Sequence, residues 1–88
     1  MTIKKEEGRL SIKTEHGESE LLYKIEGKVM SIYHTFTPDD DRGKGIAEQL
    51  TAEAFSIAKS RGLKVRPDCS YAAHFLEKHS EWRAYAVQ

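Results

Sequence analysis

Hydrophobic and polar positions alternate with a period of two along the first forty residues, which is typical of strands buried on one face. Three runs show this pattern: RLSIKTE from residue 9, LLYKIE from residue 21 and VMSIYHTF from residue 29. Glycine-containing turns separate the runs, so the pattern predicts three antiparallel strands connected as a meander. In the third run the spacing predicts four side chains on the same side of the sheet: Met30, Ile32, His34 and Phe36.

After Pro38 the spacing becomes helical. Apolar residues recur three or four positions apart from Gly45 to about Arg61–Gly62, at Ile46, Ala47, Leu50, Ala54, Ile57 and Ala58. The run LKVRP then predicts a short fourth strand, and SYAAHFLEKHSEW predicts a second helix with Ser70 as its N-cap. The predicted order is β-β-β-α-β-α, in which a helix connects the third strand to a parallel fourth. We therefore expect an α+β layered domain with a β-α-β crossover.

Composition narrows the function classes. Residues 1–88 contain no repeat or linker, which predicts a single domain. The chain has 14 basic and 14 acidic residues and a net charge of zero. This balance argues against a nucleic-acid partner. The longest apolar run is too short to cross a membrane, and the opening MTIKKEEGRL has no apolar core of a secretory signal. With a single cysteine and no zinc-type histidine spacing, we expect a cytoplasmic protein with neither disulfide nor metal.

The stretch DDDRGKGIA, residues 39–47, lies between the third strand and the first helix. Two glycines before a helix let backbone N–H groups converge on an anion, and the helix dipole is positive there. The spacing matches neither the P-loop nor the dinucleotide-binding pattern. From spacing alone, two interpretations stay open: a phosphate-binding loop, or a tight turn with an acidic helix cap, its three aspartates solvated.

The segment RGKGIA, residues 42–47, resembles the Q/R-x-x-G-x-G/A signature with which the GNAT superfamily of acetyltransferases binds acetyl-coenzyme A. The resemblance extends over about residues 8–85. Two separated segments, HTFTPDDDRGKGIAEQL and RPDCSYAAHFLEKHSEW, are similar to a small single-domain GNAT-like family. The resemblance implies that the protein binds acetyl-coenzyme A and transfers the acetyl group to an amine of a protein, peptide or small molecule.

The resemblance also implies positions for the donor. The backbone of the signature loop would hold the coenzyme A pyrophosphate, with two cations nearby, and the end of the third strand would pair with the pantetheine arm. The thioester would lie near the start of the second helix. The implied residues are Arg42, Gly43, Lys44, Gly45, Ile46 and Ala47 for the pyrophosphate, Phe36 and Thr37 for pantetheine, and Ser70 and Tyr71 for the thioester.

Three side chains are candidates for the chemistry. Cys69 precedes a helix start, which favours a nucleophilic thiolate, although a lone cysteine is often a small buried apolar residue. His34 could act as general base, or be a core histidine. Tyr71 could protonate the departing coenzyme A thiolate, as a tyrosine often does in the superfamily, or be a core aromatic.

The chain departs from larger GNAT enzymes in one respect. Only EHGES connects its first two predicted strands, so the helices that wall off the acceptor pocket in those enzymes are missing. The acceptor therefore stays unassigned, as does the choice between direct transfer and an acetyl-Cys69 intermediate. A coenzyme A-binding sensor without catalysis and a generic interaction domain remain as alternatives, in a monomer or a weak homodimer.

Overall fold

The computed structural model describes residues 2–87 and has the expected α+β architecture. Five strands form one sheet: β1 (Lys4–Glu6), β2 (Arg9–Thr14), β3 (Gly17–Glu26), β4 (Val29–Phe36) and β5 (Lys64–Pro67). Two α-helices, α1 (Ile46–Ser60) and α2 (Ser70–Lys78), follow β4 and β5, and short 3-10 helices cover Asp39–Asp41 and Ser80–Tyr85. Strand β1 has no counterpart among the sequence-based predictions because its three residues are all charged and exposed.

The spatial order of the strands is the same as their order along the chain. Strands β1 to β4 are antiparallel neighbours, and α1 crosses over to place β5 parallel to β4, as predicted. Only the first half of β4, Val29 to Ile32, pairs with β5. At that point the N–H groups of Asp68 and Cys69 both donate to the carbonyl of Ile32, at 3.0 and 3.1 Å, and the chain turns away. Within residues 2–87, the second half of β4 therefore has no strand beside it on this edge.

A β-bulge in the middle of β4 changes which side chains share a face. Leu22 of β3 lies opposite His34, but the next residue, Tyr23, lies opposite Ile32, so Tyr33 is the extra residue. An inserted residue reverses the alternation beyond it. The prediction that His34 and Phe36 share a face with Met30 and Ile32 is therefore wrong: both are exposed, whereas Met30 and Ile32 are fully buried.

Both helices pack against one face of the sheet and form a single core with it. Four residues of the predicted apolar stripe of α1 are buried, Ile46, Leu50, Ala54 and Ala58, whereas Ala47 and Ile57 are partly buried. Phe55, which lies off the predicted stripe, is fully buried as well. Its ring stacks on Phe75 of α2 at 5.5 Å between centroids and contacts Trp82 at 5.6 Å. These aromatic contacts join α2 and the following 3-10 helix to α1. The opposite face of the sheet carries paired charges, such as Arg9 with Glu18 at 2.6 Å.

Candidate functional site

A cleft of about 630 Å³ opens where β4 ends and α1 begins. Its walls are the last residues of β4, the glycine loop, the first turn of α1 and one face of α2. Eight of the residues singled out from the sequence line it: Phe36, Thr37, Arg42, Gly43, Gly45, Ile46, Ala47 and Tyr71. Four others lie outside its lining: Cys69 and Ser70 at the start of α2, Lys44 in the loop, and His34 on the opposite face of the sheet.

The glycine loop borders this cleft at the start of α1. Gly43 and Gly45 have φ angles of +85° and +78°, a left-handed conformation that side-chain-bearing residues rarely adopt. Apart from the glycine and its two chain neighbours, no described residue has a heavy atom within 4 Å of the position that a Cβ would take at Gly43 or Gly45. Gly45 is also the N-cap of α1, so no side chain accepts a hydrogen bond from the first turn. A helix start whose first N–H groups lack intrahelical partners, next to open space above two glycines, fits a phosphate group.

The expectation that all three aspartates are solvated is wrong for Asp41. Asp39 and Asp40 are exposed, but only 2% of the Asp41 side chain is accessible. Its carboxylate accepts a hydrogen bond from the Thr14 hydroxyl, which lowers its pKa below the ordinary value, and Lys44 adds to this shift from 3.3 Å. Asp41 therefore ties the loop to the end of β2, and Lys44 is directed toward this carboxylate.

Arg42 is the cation of the loop that lines the cleft. Its guanidinium contacts the Asp39 carboxylate at 3.4 Å and the carbonyl of Thr37 at 3.5 Å, and 69% of the side chain is exposed. Exposed ion pairs of this length are weak. Arg42 can therefore turn from Asp39 to a stronger anion in the cleft.

Cys69, and not Ser70, caps α2. The N–H of Ala72 donates to the sulfur of Cys69 at 3.4 Å, whereas Ser70 is the first residue of the helix and is exposed. The preceding turn is fixed by Asp68, which accepts hydrogen bonds from the hydroxyl of Ser31 and from Arg66; these bonds lower the pKa of Asp68. The half-buried thiol of Cys69 is therefore held at a helix N-terminus beside the end of the β4–β5 pairing.

Tyr71 and His34 differ in their surroundings. Tyr71 is half-buried in the cleft wall, and burial together with the charge of Glu48 raises its pKa above the ordinary value, so its hydroxyl keeps its proton at neutral pH. His34 is on the open face of the sheet with 47% of its side chain exposed, and its Nε2 lies 3.4 Å from the carboxylate of Glu20. The structure thus brings Tyr71, but not His34, to the lining of the cleft.

Sequence reasoning missed several polar residues of the cleft wall. His74 and Lys78 lie on the same face of α2 as Tyr71, three and seven residues further along. Helical spacing counted from Tyr71 is the signal that could have found them. Glu48, in the first turn of α1, accepts a hydrogen bond from His79 at 2.8 Å, which is the main cause of its lowered pKa.

Comparison with known proteins agrees with this geometry. The sequence profile of the family described as GCN5-related N-acetyl-transferase matches residues 9–85, which include the glycine loop, both helices and β5. The chain belongs to the GCN5-related N-acetyltransferase family. Protein NATD1 of Bos taurus and protein NATD1 of Gallus gallus are each 32% identical to it over 65 residues, or 73% of this chain.

Those 65 residues are 58% of the bovine protein and 59% of the chicken protein, so the chain spans less than two thirds of these family members. The fold is also similar to the solution NMR structure of a GCN5-like candidate N-acetyltransferase from Staphylococcus aureus. That similarity has a TM-score of 0.81 at 26% identity and covers 98% of this chain and 87% of the other. Family membership thus rests on both sequence and fold.

Among residues 2–87, no three His, Cys, Asp or Glu side chains are grouped so that they could hold a metal ion. No helix in the same range has the length and apolar character needed to cross a membrane.

Proposed function

We propose that this protein binds acetyl-coenzyme A in the cleft at the start of α1 and transfers the acetyl group to an amine. The observation that carries the proposal is the pair of left-handed glycines, Gly43 and Gly45, opening onto a cleft at an uncapped helix N-terminus. Membership in the GCN5-related N-acetyltransferase family supports the same donor.

In this proposal the donor is held by the backbone at two places. The N–H groups of the loop and of the first turn of α1, from Gly43 to Ala47, bind the pyrophosphate, and Arg42 complements its charge. The end of β4 at Phe36 and the following residue Thr37, beside which no strand lies among residues 2–87, offer backbone groups to the amides of the pantetheine arm, as a sheet edge does to an added strand. Lys44 contributes by holding Asp41 in place.

Transfer is proposed to take place near the N-terminus of α2, beside Ser70. In the two-step route, the thiolate of Cys69 attacks the acetyl carbonyl, the thioester C–S bond breaks, and the hydroxyl of Tyr71 protonates the departing coenzyme A thiolate. The amine then attacks the acetyl-Cys69 thioester, Cys69 leaves as its thiolate, and the proton that the amine releases returns through solvent to the Tyr71 phenolate, which restores the starting state. In the direct route the amine attacks the donor itself, and Cys69 serves as the helix cap.

The acceptor is proposed to approach from the open face of the sheet. The helices cover the other face, and only Glu15 and His16 separate β2 from β3. His34 lies on the open face with a carboxylate partner, Glu20, at 3.4 Å, in a position to accept the proton of an ammonium group arriving from solvent. This arrangement leaves room for an acceptor as large as a protein side chain.

Calorimetric titration with acetyl-coenzyme A, followed by an intact-mass measurement of the protein, tests the proposal. Binding together with an added acetyl group that disappears in the Cys69→Ser variant supports the two-step route. Binding and turnover of an amine without this adduct support direct transfer. Binding without turnover of protein, peptide or polyamine amines points to the alternative function of a coenzyme A sensor. Absence of binding contradicts the proposal.

A further inference from the structure

The cleft extends well beyond the glycine loop along α2. Tyr71, His74, Phe75 and Lys78 all line it, and they occupy successive turns on one face of the helix. At a rise of about 1.5 Å per residue, the seven residues from Tyr71 to Lys78 span about 10 Å. A pyrophosphate in the loop fills only part of this length.

The two ends of the α2 wall differ chemically. At the N-terminal end Tyr71 lines the cleft, and Cys69 lies just outside the lining, where its backbone N–H bonds to the carbonyl of Ile32 of β4. The C-terminal end carries His74 and Lys78, which are exposed and can both donate hydrogen bonds. Under the proposed function the thioester lies at the first end, so the nucleotide end of the donor extends toward the second.

The charge of Lys78 is available to a ligand. Two carboxylates line the cleft, and each has another partner: Lys44 lies 3.3 Å from Asp41, and His79 bonds to Glu48 at 2.8 Å. Lys78 approaches Glu48 only to 3.6 Å, and 65% of its side chain is exposed. An exposed lysine whose ion pair is long, and whose carboxylate partner also bonds to another residue, can reorient toward a phosphate with little loss of interaction free energy.

We infer that Lys78, assisted by His74 one turn earlier, binds the 3′-phosphate on the ribose of coenzyme A. This inference rests on the proposed function and specifies which donors the site selects. The ammonium group of Lys78 supplies a point charge to the phosphate, and the imidazole of His74 supplies a hydrogen bond. The protein therefore prefers coenzyme A over otherwise identical molecules that lack the 3′-phosphate.

Titrating the full chain with coenzyme A and with 3′-dephospho-coenzyme A at low salt tests the inference. We expect coenzyme A to bind about tenfold more tightly, the effect of one charge-assisted contact. In Lys78→Gln the affinity for coenzyme A falls to near that for the dephospho form, while the affinity for the dephospho form is unchanged. The preference in the unmodified protein also shrinks as salt is raised.

Lys28→Gln is the matched control, because Lys28 lies in the β3–β4 turn at the opposite end of β4 from the cleft. It should keep the full preference. Equal affinities for the two ligands in the unmodified protein overturn the inference and leave the proposed function standing. An equal loss of both affinities in Lys78→Gln also overturns it, since Lys78 would then act only through its contact with Glu48. If neither ligand binds, the proposed function fails as well.

Discussion

The buried carboxylate of Asp41 accepts a hydrogen bond from the hydroxyl of Thr14, 27 residues earlier in the chain. This contact crosses from the loop before α1 to the end of β2 and is the loop's anchor to the sheet. The Thr14 hydroxyl also contacts the carbonyl of Gly17 and the N–H of His16, so the anchor includes the β2–β3 turn. The conformation of the glycine loop thus depends on residues far from it in sequence.

Asp41→Asn tests this anchor. The hydrogen bond from Thr14 and the nearby charge of Lys44 lower the pKa of Asp41 below 3.8 in the folded protein. The resulting stabilisation is fully present above the ordinary pKa and is lost as the pH falls through the lowered one. We expect Asp41→Asn to lower the Tm by several degrees at pH 7 and to reduce the acid sensitivity of the Tm below about pH 4.

Asp40→Asn is the control for this experiment, because the side chain of Asp40 is largely exposed. It should leave the Tm at pH 7 nearly unchanged. Equal stability of Asp41→Asn and Asp40→Asn would contradict an anchoring role for Asp41.

Gly45→Asp is expected to abolish binding of acetyl-coenzyme A while the protein stays folded. A carboxylate placed over the loop repels the pyrophosphate, and the open space around Gly45 accommodates it sterically. The left-handed backbone costs about 1–2 kcal/mol for a residue with a side chain. Calorimetry gives the affinity, and circular dichroism verifies the fold.

The Gly27→Asp variant separates the effect of backbone strain in Gly45→Asp from the effect of its added charge. Gly27 also has a positive φ angle, +62°, and open space at its Cβ position, but it lies in the turn at the other end of β4. It should show a comparable loss of stability with unchanged affinity. If both variants bind acetyl-coenzyme A like the unmodified protein, the phosphate does not lie in the glycine loop.

Cys69 can be tested for capping and for nucleophilic attack with two different substitutions. Serine keeps a helix-capping acceptor but removes the thiol, whereas alanine removes both. In the two-step route, Cys69→Ser and Cys69→Ala both lose acetyl transfer, and only the alanine variant is destabilised, by about 0.5–1 kcal/mol. Amine acetylation assays and denaturant unfolding measure the two effects. An active Cys69→Ser enzyme would exclude the covalent route.

Tyr71→Phe should lower kcat by about 10²-fold or more, the usual contribution of a positioned general acid, and leave the affinity for acetyl-coenzyme A unchanged. Burial and the charge of Glu48 raise the pKa of Tyr71 above 10, so the proton is in place throughout the assay range. The rate of the unmodified enzyme should therefore show no loss of this acid until the pH exceeds 10. Full turnover in Tyr71→Phe would leave the tyrosine as part of the cleft wall only.

His34→Gln is expected to change the pH–rate profile of amine acetylation. If His34 accepts the ammonium proton, its replacement removes the acidic limb of the profile of kcat/KM and leaves binding of acetyl-coenzyme A intact. His16→Gln is a suitable comparison, since His16 lies in the turn between β2 and β3 and is not part of the cleft lining. Unaltered profiles in His34→Gln would place the base elsewhere.

Most strands and helices could be predicted from the local periodicity of the sequence. The features that could not be predicted have physical causes that the periodicity does not carry. Alternation along β2 and β3 and the helical spacing of α1 predicted those elements because their buried faces repeat. The bulge at Tyr33 was not predictable in this way, since an inserted residue depends on the pairing with β3 and leaves no compositional trace. Strand β1 carries only charged residues, so its pairing with β2 also lacked a signal.

The candidate site was predicted in part. The glycine loop could be located from the sequence because two glycines directly precede a helix start, and both Gly43 and Gly45 have a positive φ angle, which strongly favours glycine. The burial of Asp41 beside the exposed Asp39 and Asp40 could not be predicted from the sequence, because its hydrogen-bond partner Thr14 is distant in the chain. Lys78 was missed although it lies seven residues after Tyr71 on the same face of α2, because only the packing of α2 against α1 shows that this face lines the cleft.

The strands of the sheet have the same order in space as along the chain, and this order affects how the molecule folds. All pairings from β1 to β4 connect neighbouring segments, so little chain entropy is lost in forming them, and such local contacts form rapidly. The pairing of β5 with β4 must wait for the intervening crossover through α1. We therefore expect the meander to form early and the cleft late, so that substitutions in α2 mainly accelerate unfolding, whereas substitutions in β3 slow refolding.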